Sequence, residues 1–530
     1  MSRHFNTAGT CFPSRHYMAG LENKLKEITA MADAGKYFCI SRARQYGKST
    51  VLYSLARSLC ETYLVISISF QRMSTAKFEN EDVFCRAFVN RMERSLAHFK
   101  ISESDLALFE HMFRRAADGT KPLDLTDMFD DISDLCCHLS KPLVLIIDEI
   151  DSACSSQIFL DFLGQIRDLY LNREFVPAFQ SVILAGVYNI KNLKLKNNTG
   201  SVIRYNSPWN IADDFTIDIS LHTDDIFNML LDYEADHHTG MDVRAVSQLI
   251  FDYTDGYPYL VSRICRLTDE RLWNSADSCV RKTAWTSEGI LLSIRLLLKE
   301  PNTLFEDMVK HLQDYPQLKE NIKNILFCGM QYSFEIDQES VNTGVMFGFI
   351  KEKNNNAVIA NRIFEMKLYN MFLAEDERSA ENSLTQYTGS QFISSGMLKM
   401  RLVMQKFYEY YQEIFGGRSD KFLEENGRRL FLMFLRPIIN GSGNYYIEAE
   451  TRSRTRTDVI IDYHGQQFII ELKIWHGEAY SQRAETQLFE YLEHYHVREG
   501  YLLSFNFNKN KKTGIREIRF EDKWIMETVV

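Results

Sequence analysis

Long apolar runs are missing from this chain. The longest, such as LVLII at 143–147, fall far short of the ~20 residues that span a bilayer, so no membrane-crossing helix is expected. The first residues, MSRHFNTAGTCF, lack the apolar core of a secretory signal. Proline is scarce, nine in 530 residues, and there is no low-complexity tract or solenoid-period repeat, which argues against long disordered segments. Ten cysteines are scattered without a CxxC pair or any metal-ligand spacing, which points to buried thiols in a reducing compartment. A cytoplasmic protein with no membrane partner is expected. Positive charge is also in short supply: 61 Lys and Arg against 71 Asp and Glu give a net charge of −10. That excludes a protein coated in basic surface, yet leaves room for local clusters such as Arg452, Arg454 and Arg456, or Lys509, Lys511 and Lys512.

What is present is patterned. At 530 residues the chain is too long for one core, and roughly three or four domains are expected. An amphipathic stretch at 22–34 precedes a strand at 37–41, a loop and a helix from 49 to 60. Apolar runs at 63–70, 142–148 and 180–187 barely alternate, as in strands buried on both faces of a parallel sheet. Strands alternating with helices predict a three-layer α/β domain. From 224 to 273 the pattern is helical, broken at DGYP (255–258). Short helices followed by strand-like residues 347–360 predict a winged helix. The polar stretch from 374 to 395 reads as a linker, and a final α/β unit begins near 397.

Two places carry chemistry. The first is RARQYGKST (42–50), after a buried strand and opening a helix. Gly47 lets backbone N–H groups approach a phosphate, Lys48 reaches the β- and γ-phosphates, and Ser49 can ligate Mg²⁺. The helix N-terminus itself favours an anion. The first glycine of the usual phosphate loop is replaced by Arg42, so the loop entry differs. A bare Gly-Lys-Ser is a weak signal. Support comes from PLVLIIDEID (142–151), where Asp148 would hold Mg²⁺ through water and Glu149 would polarise an attacking water. Asn189, after the strand at 180–187, is a candidate γ-phosphate sensor.

These residues resemble AAA-like ATPases whose phosphate loop reads R-x-R-x-[FY]-G-K-[ST], related to the archaeal and signal-transducing branches. The resemblance covers roughly the first 300 residues, through DEID, VYNIKNL, YNSPWNIA and DGYP. It implies that Gln45, Tyr46, Gly47, Lys48, Ser49, Thr50 and Asn189 bind ATP, and that Gly256 and Pro258 form a lid contact near the base. A further reading is turnover only on assembly, with an arginine supplied by a neighbouring copy in a homo-oligomer.

The second place is RTDVIIDYHGQQFIIELK (456–473). Cleaving a phosphodiester takes carboxylates to hold Mg²⁺ and a lysine to orient water. A strand period of two puts Glu471 and Lys473 on one face, and a hairpin brings Asp458 opposite them. Gln487 and Tyr491 lie four apart on the following helix. This constellation resembles the PD-(D/E)XK nuclease superfamily in its RecB-like form. It implies Asp458 and Glu471 as metal ligands (Mn²⁺ also suiting the site), Lys473 as the catalytic lysine, Gln487 and Tyr491 as the helix motif, and an earlier helix acid, Glu424 or Glu425, with Glu425 preferred.

The expected architecture is α/β multidomain: a P-loop three-layer αβα ATPase core (1–222), a helical lid (223–300), a winged helix (301–373), a linker (374–396) and a small α/β restriction-endonuclease-like domain (397–530). The expected function is an ATPase whose nucleotide state gates a metal-dependent nuclease acting on nucleic acid, DNA foremost. The other reading is a nucleotide-switched scaffold that binds without cutting.

Overall fold

The computed structural model describes every residue except 1–2, 100, 188–193, 197–201, 205–207, 329–331, 380–391, 395–396, 416–429, 433, 436–437, 440–442, 451–455, 464–465, 475–477, 496, 507–512 and 521. The chain divides into two compact units, 1–290 with 342–348, and 291–341 with 349–530.

The first unit is built on four parallel strands: β1 (Phe38–Ser41), β2 (Leu64–Ser69), β3 (Leu143–Asp148) and β4 (Ser181–Gly186), in the order β1-β4-β3-β2. Alternate residues of β1 and β3 feed two separate cores. Phe38, Ile40, Val144 and Ile146 pack with α1 (Glu22–Asp33) and α2 (Lys48–Leu59). Leu143, Leu145 and Ile147 pack with α3 (Glu81–Leu96), α4 (Glu103–Ala117), α5 (Leu125–His138) and α6 (Gln157–Leu171). Both faces of the sheet are thus covered, which is why its strands are apolar throughout rather than alternating. Asn80, Ser102 and Asp124 cap the N-termini of α3, α4 and α5 by accepting a backbone N–H.

Small strands β5 (Lys194–Lys196) and β6 (Val202–Arg204) pair antiparallel. A helical group follows: α7 (Thr223–His237), α8 (Val243–Thr254), α9 (Pro258–Leu267) and α10 (Ser278–Thr283). Between α8 and α9 the chain turns at Asp255 and Gly256, both at positive φ. A Cβ on Gly256 would lie 1.9 Å from the carbonyl oxygen of Leu221, so only glycine fits there. Helix α11 (Ser287–Lys299) begins in this unit and ends in the other.

Helices α12 (Thr303–Asp314) and α13 (Pro316–Cys328) precede a three-stranded antiparallel sheet of β7 (Tyr332–Ser333), β8 (Ile350–Lys353) and β9 (Asn356–Ile359), with α14 (Glu339–Met346) between β7 and β8. Asn354 and Asn355, both left-handed, make the two-residue turn from β8 to β9. Helix α15 (Arg362–Ser379) runs past 373, the edge expected from the pattern, so the polar stretch after 374 begins as helix.

The C-terminal part of the second unit opens with β10 (Ile393–Ser394), β11 (Met397–Leu398) and α16 (Met400–Phe415). It is centred on a six-stranded mixed sheet, β12-β13-β14-β15-β17-β16. Its strands are β12 (Gly443–Glu450), β13 (Arg456–Tyr463), β14 (Gln466–Ile474), β15 (Glu499–Phe505), β16 (Gly514–Phe520) and β17 (Lys523–Val529). The first three form an antiparallel meander, and α17 (Glu478–His494) is the crossover that lets β15 run parallel to β14. Leu488, Tyr491 and Leu492 of α17 pack on Ile469, Leu502 and Ile525, while Tyr411 of α16 meets Phe505 on the opposite face.

The core beside α6 is rich in phenylalanine. The fully buried Phe162 has ring centroids 5.1 Å from Phe88 and 5.5 Å from Phe84 and Phe129. Phe162→Ala is expected to destabilise the first unit by about 3–5 kcal/mol, read as a lowered denaturant midpoint in equilibrium unfolding.

Candidate functional site

Because β4 lies between β1 and β3, the loop after β1 and the acids ending β3 meet at the carboxyl edge of the sheet, where open α/β sheets bind ligands. Gly47 takes φ +81°, which turns the chain into α2 with its backbone N–H groups leading. Lys48 is buried, and its Nζ donates to the carbonyl oxygens of Arg42 and Ala43, both at 2.9 Å. Burial holds the Lys48 ammonium below its ordinary pKa, against the pull of Glu149, Asp151 and Asp148. Ser49 Oγ donates to Asp148 Oδ2 at 2.7 Å, so the two expected Mg²⁺ residues are already in contact. A hydroxyl and a carboxylate are hard oxygen donors of the kind that ion takes.

Glu149 sits at φ +55°, its backbone N–H donating to Asp148 Oδ1 at 2.9 Å. Burial, reinforced by the neighbouring Asp148 charge, raises its carboxyl above the usual range. Asp151, the last acid of DEID, was not singled out in the sequence. Its two carboxylate oxygens accept the N–H of Val187 at 2.9 Å each, tying the end of β3 to the end of β4. Gly186 makes room for this, since a Cβ there would lie 2.9 Å from Asp151 Oδ1 and 2.7 Å from Ile150.

The arginine in place of the usual first glycine has a packing role. Arg42 donates to the carbonyls of Ser41 and Ile217, both at 3.0 Å, and lies over the Phe215 ring. Tyr257, from the DGYP turn, donates through its hydroxyl to the carbonyl of Arg44 at 2.6 Å and meets the Tyr46 ring edge-on. Pro258 stands over Gly47. Tyr46, Gly47 and Pro258 border a cleft of about 790 Å³, open mouth included. Gln45, Tyr46, Gly47, Thr50 and Pro258, which the sequence marks as candidate ATP contacts, line it. One wall comes from the N-terminal segment, including Cys11, Tyr17 and Leu21, which sequence reasoning missed. Cys11 N donates to Thr50 Oγ1 at 3.1 Å, holding that segment to α2. No periodicity marks a wall of irregular chain, so only its nearness in space reveals it. Asn189 lies outside the described residues.

In the second unit Glu471 is fully buried, with Lys473 Nζ 2.7 Å from its carboxylate. Both lie on the face of β14 that α17 covers, since Ile469 two residues earlier packs on that helix. Gln487 Nε2 donates to the buried Tyr491 hydroxyl at 2.9 Å. The register pairs Val459 with Ile470, and Asp458 and Glu471 are the next positions along β13 and β14. The Asp458 side chain and Glu425 lie outside the described residues. Among the described residues no group of three or more His, Cys, Asp or Glu can hold a metal ion, and no helix is long and apolar enough to cross a membrane. His237 stacks on Tyr233.

Glu149 generates a stability prediction. Its carboxyl is raised in the folded protein and ordinary in the unfolded chain, so stability falls as pH rises from the ordinary carboxylate range through the raised value. Glu149→Gln is expected to raise the thermal midpoint of the first unit at neutral pH and to flatten its rise on mild acidification. A neutral-pH midpoint equal to or below that of the parent would contradict this.

Both ends of the chain match known protein families. A family model for an AAA-like domain matches residues 10–375, and one for the PD-(D/E)XK nuclease superfamily matches residues 444–518. No curated protein matches the chain. Among solved structures, similar ones include a Walker-type ATPase of Pyrococcus abyssi, at 12% identity over 69% of this chain and 99% of that one, with a TM-score of 0.46. Another is Cdc6p of Pyrobaculum aerophilum, at 14% identity over 70% and 97%, with a TM-score of 0.32. A third is the ORC1 protein of Aeropyrum pernix in complex with DNA, at 10% identity over 68% and 94%, with a TM-score of 0.30. The match over 10–375 takes in the phosphate loop, the DEID acids and the DGYP turn, and the chain belongs to the AAA-like domain family, with a PD-(D/E)XK nuclease-superfamily domain at its C-terminal end.

Proposed function

We propose that this protein binds and hydrolyses ATP in its first unit and uses that nucleotide state to control a metal-dependent nuclease in its second, with DNA as the substrate class. One observation carries the nuclease reading. A fully buried Glu471 carries the Lys473 ammonium at 2.7 Å, one register step beyond the Val459–Ile470 pair that leads to Asp458, under a helix whose Gln487 and Tyr491 are hydrogen-bonded together. A carboxylate is costly to bury without a cation. Here a lysine supplies part of that charge, and a divalent ion is the natural complement.

Asp458 and Glu471 would hold Mg²⁺ or Mn²⁺, both hard ions suited to carboxylate oxygens. Such an ion, when bound, polarises the phosphodiester and lowers the pKa of a water. Lys473 orients that water and offsets phosphate charge, while Gln487 and Tyr491 hold the helix against the strand. In the first unit Lys48 neutralises phosphate charge, Ser49 and Asp148 suit Mg²⁺, and Glu149, with its raised carboxyl, suits the role of general base. The elements from α12 to β9 support a winged-helix reading, a second element for meeting nucleic acid.

The test is cleavage of single- and double-stranded, linear and circular DNA and RNA with Mg²⁺ or Mn²⁺, with and without ATP. Lys473→Ala is expected to lower cutting by roughly 10²-fold or more, leaving ATP turnover intact. Lys48→Ala is expected to remove ATP turnover and any effect of ATP on cutting. ATP turnover with no cutting on any substrate would replace this reading with a nucleotide-switched scaffold. Cutting that survives Lys473→Ala would remove the lysine from the mechanism.

A further inference from the structure

We propose that Arg3 is a positioning residue for nucleotide binding: it latches the loop of residues 4–17 along the cleft and so sets how long a nucleotide stays there. The proposal rests on the reading of that cleft as an ATP site and lies wholly within the first unit.

Residues 4–17 form a closed loop. The His4 N–H donates to the carbonyl of Arg15 at 3.1 Å, and the Tyr17 N–H donates to the carbonyl of His4 at 3.1 Å, so the two ends are tied together. Inside the loop, Asn6 accepts the Ala8 N–H at 3.1 Å through Oδ1 and donates through Nδ2 to the Thr10 carbonyl at 3.2 Å. A loop closed at its ends and braced by its own side chains is a compact unit, so this one moves as a body. Asn6, Thr7, Gly9, Cys11 and Tyr17 line the cleft that Gly47 of the phosphate loop also lines.

The loop is fastened at three points. Its Cys11 N–H donates to Thr50 Oγ1 of α2 at 3.1 Å, and its Thr7 Oγ1 accepts from Arg266 of α9 at 2.9 Å. Each of these is one hydrogen bond. The third point is a network built on Arg3, next to the first residue of the loop. The Arg3 guanidinium reaches two carboxylates of α7, Asp232 at 2.7 Å and Asp236 at 2.9 Å, and lies 4.8 Å from the centre of the Tyr17 ring. Asp232 and Asp236 are four apart and so share a face of the helix. Tyr17 donates its hydroxyl at 2.8 Å to the same Asp236 oxygen that Arg3 holds. Beside this network Phe5 is buried, packing on Tyr17 at 5.1 Å and Tyr233 at 5.0 Å between ring centroids. Arg3 lies ahead of the matched AAA-like region, which starts at residue 10, while the two acids lie inside it.

Exposure decides what the network can do. The Asp232 and Asp236 side chains are 56% and 42% exposed. Ion pairs in that setting are individually weak and are screened by salt, so the fastening opens and closes readily while the buried Phe5 keeps the stem of the loop in place. A nucleotide resting against the Tyr17 wall favours the fastened state, and the fastened state slows its exit. A network that only stabilised the fold would change the unfolding midpoint. A latch changes dissociation and leaves association nearly as it was.

Stopped-flow release of methylanthraniloyl-ADP from the full-length chain tests it. Arg3→Met keeps methylene contact with the Tyr17 ring and removes the charge. It is expected to speed release roughly fivefold, the scale of a few partly exposed charged contacts, with association close to the parent's rate. Asp232→Asn/Asp236→Asn should do the same from the side of α7. Arg3→Lys keeps the charge without the fork that spans both acids, and should fall between parent and Arg3→Met. Added salt should quicken release from the parent by a larger factor than from Arg3→Met. Release at the parent's rate in both Arg3→Met and the double Asn variant overturns the latch, as does a loss of affinity that falls on association. A parent that binds no methylanthraniloyl-ADP, or whose binding is unchanged in Lys48→Ala, overturns the ATP-site reading and the latch with it. Binding that Lys48→Ala removes, beside unchanged release in Arg3→Met, overturns the latch alone.

Discussion

The nucleotide site depends on one strand pairing, the insertion of β4 between β1 and β3. With β4 in the middle, the phosphate loop and the DEID acids lie two strands apart at one edge of the sheet. The gap is then closed by side chains: Ser49 reaches Asp148, and Asp151 fastens β3 to the first residue after β4. Each contact needs the strands to end level. Gly186 has no side chain because Ile150 and Asp151 occupy the space. The two cores on either face hold the strands in that alignment, and the phenylalanine cluster beside α6 supplies much of the apolar burial.

Charge in this site is arranged to be completed by a ligand. Lys48 is buried among acids and satisfies itself on the carbonyls of its own loop. Those hydrogen bonds compensate part of its desolvation, and a phosphate in the same place would compensate more, because a charged acceptor makes a stronger hydrogen bond than a neutral carbonyl. Glu149 is held in a left-handed conformation, and burial, with a second acid beside it, destabilises its carboxyl as an anion. Backbone strain together with a raised pKa at one residue is a combination that folds concentrate at functional positions. The C-terminal sheet follows the same logic more sparingly. Its buried carboxylates, Glu471, Asp462 and Glu527, each have a cation nearby, from Lys473, Arg295 and Arg516. Glu471 stands apart because its cation comes from its own strand, two residues on.

Much of this was legible beforehand. The buried strands of the first unit were readable because apolar runs covered on both faces leave no alternation, and the hairpin at 456–474 was readable because its short polar turn separates two apolar strands. Gly47, Lys48 and Ser49 announce themselves by spacing, as do Glu471 and Lys473, because a phosphate loop and a strand face each tie function to fixed offsets along the chain. Asp151 stood in plain view within DEID, yet its task lies 36 residues away at Val187 and no local rule predicts it. The Arg42 substitution was visible, while its outlet onto the carbonyl of Ile217 was not.

What the sequence determined by itself is what local periodicity and fixed spacing encode: a parallel core, a phosphate loop with its acids, and a hairpin with an acid–x–lysine strand end. What only the tertiary structure decided is which distant segments complete those sites. The N-terminal wall at Tyr17 and the pairing of Arg295 with Asp462 join residues tens to hundreds of positions apart. Such contacts leave no periodic trace, because they are set by how cores pack rather than by how a single helix or strand repeats.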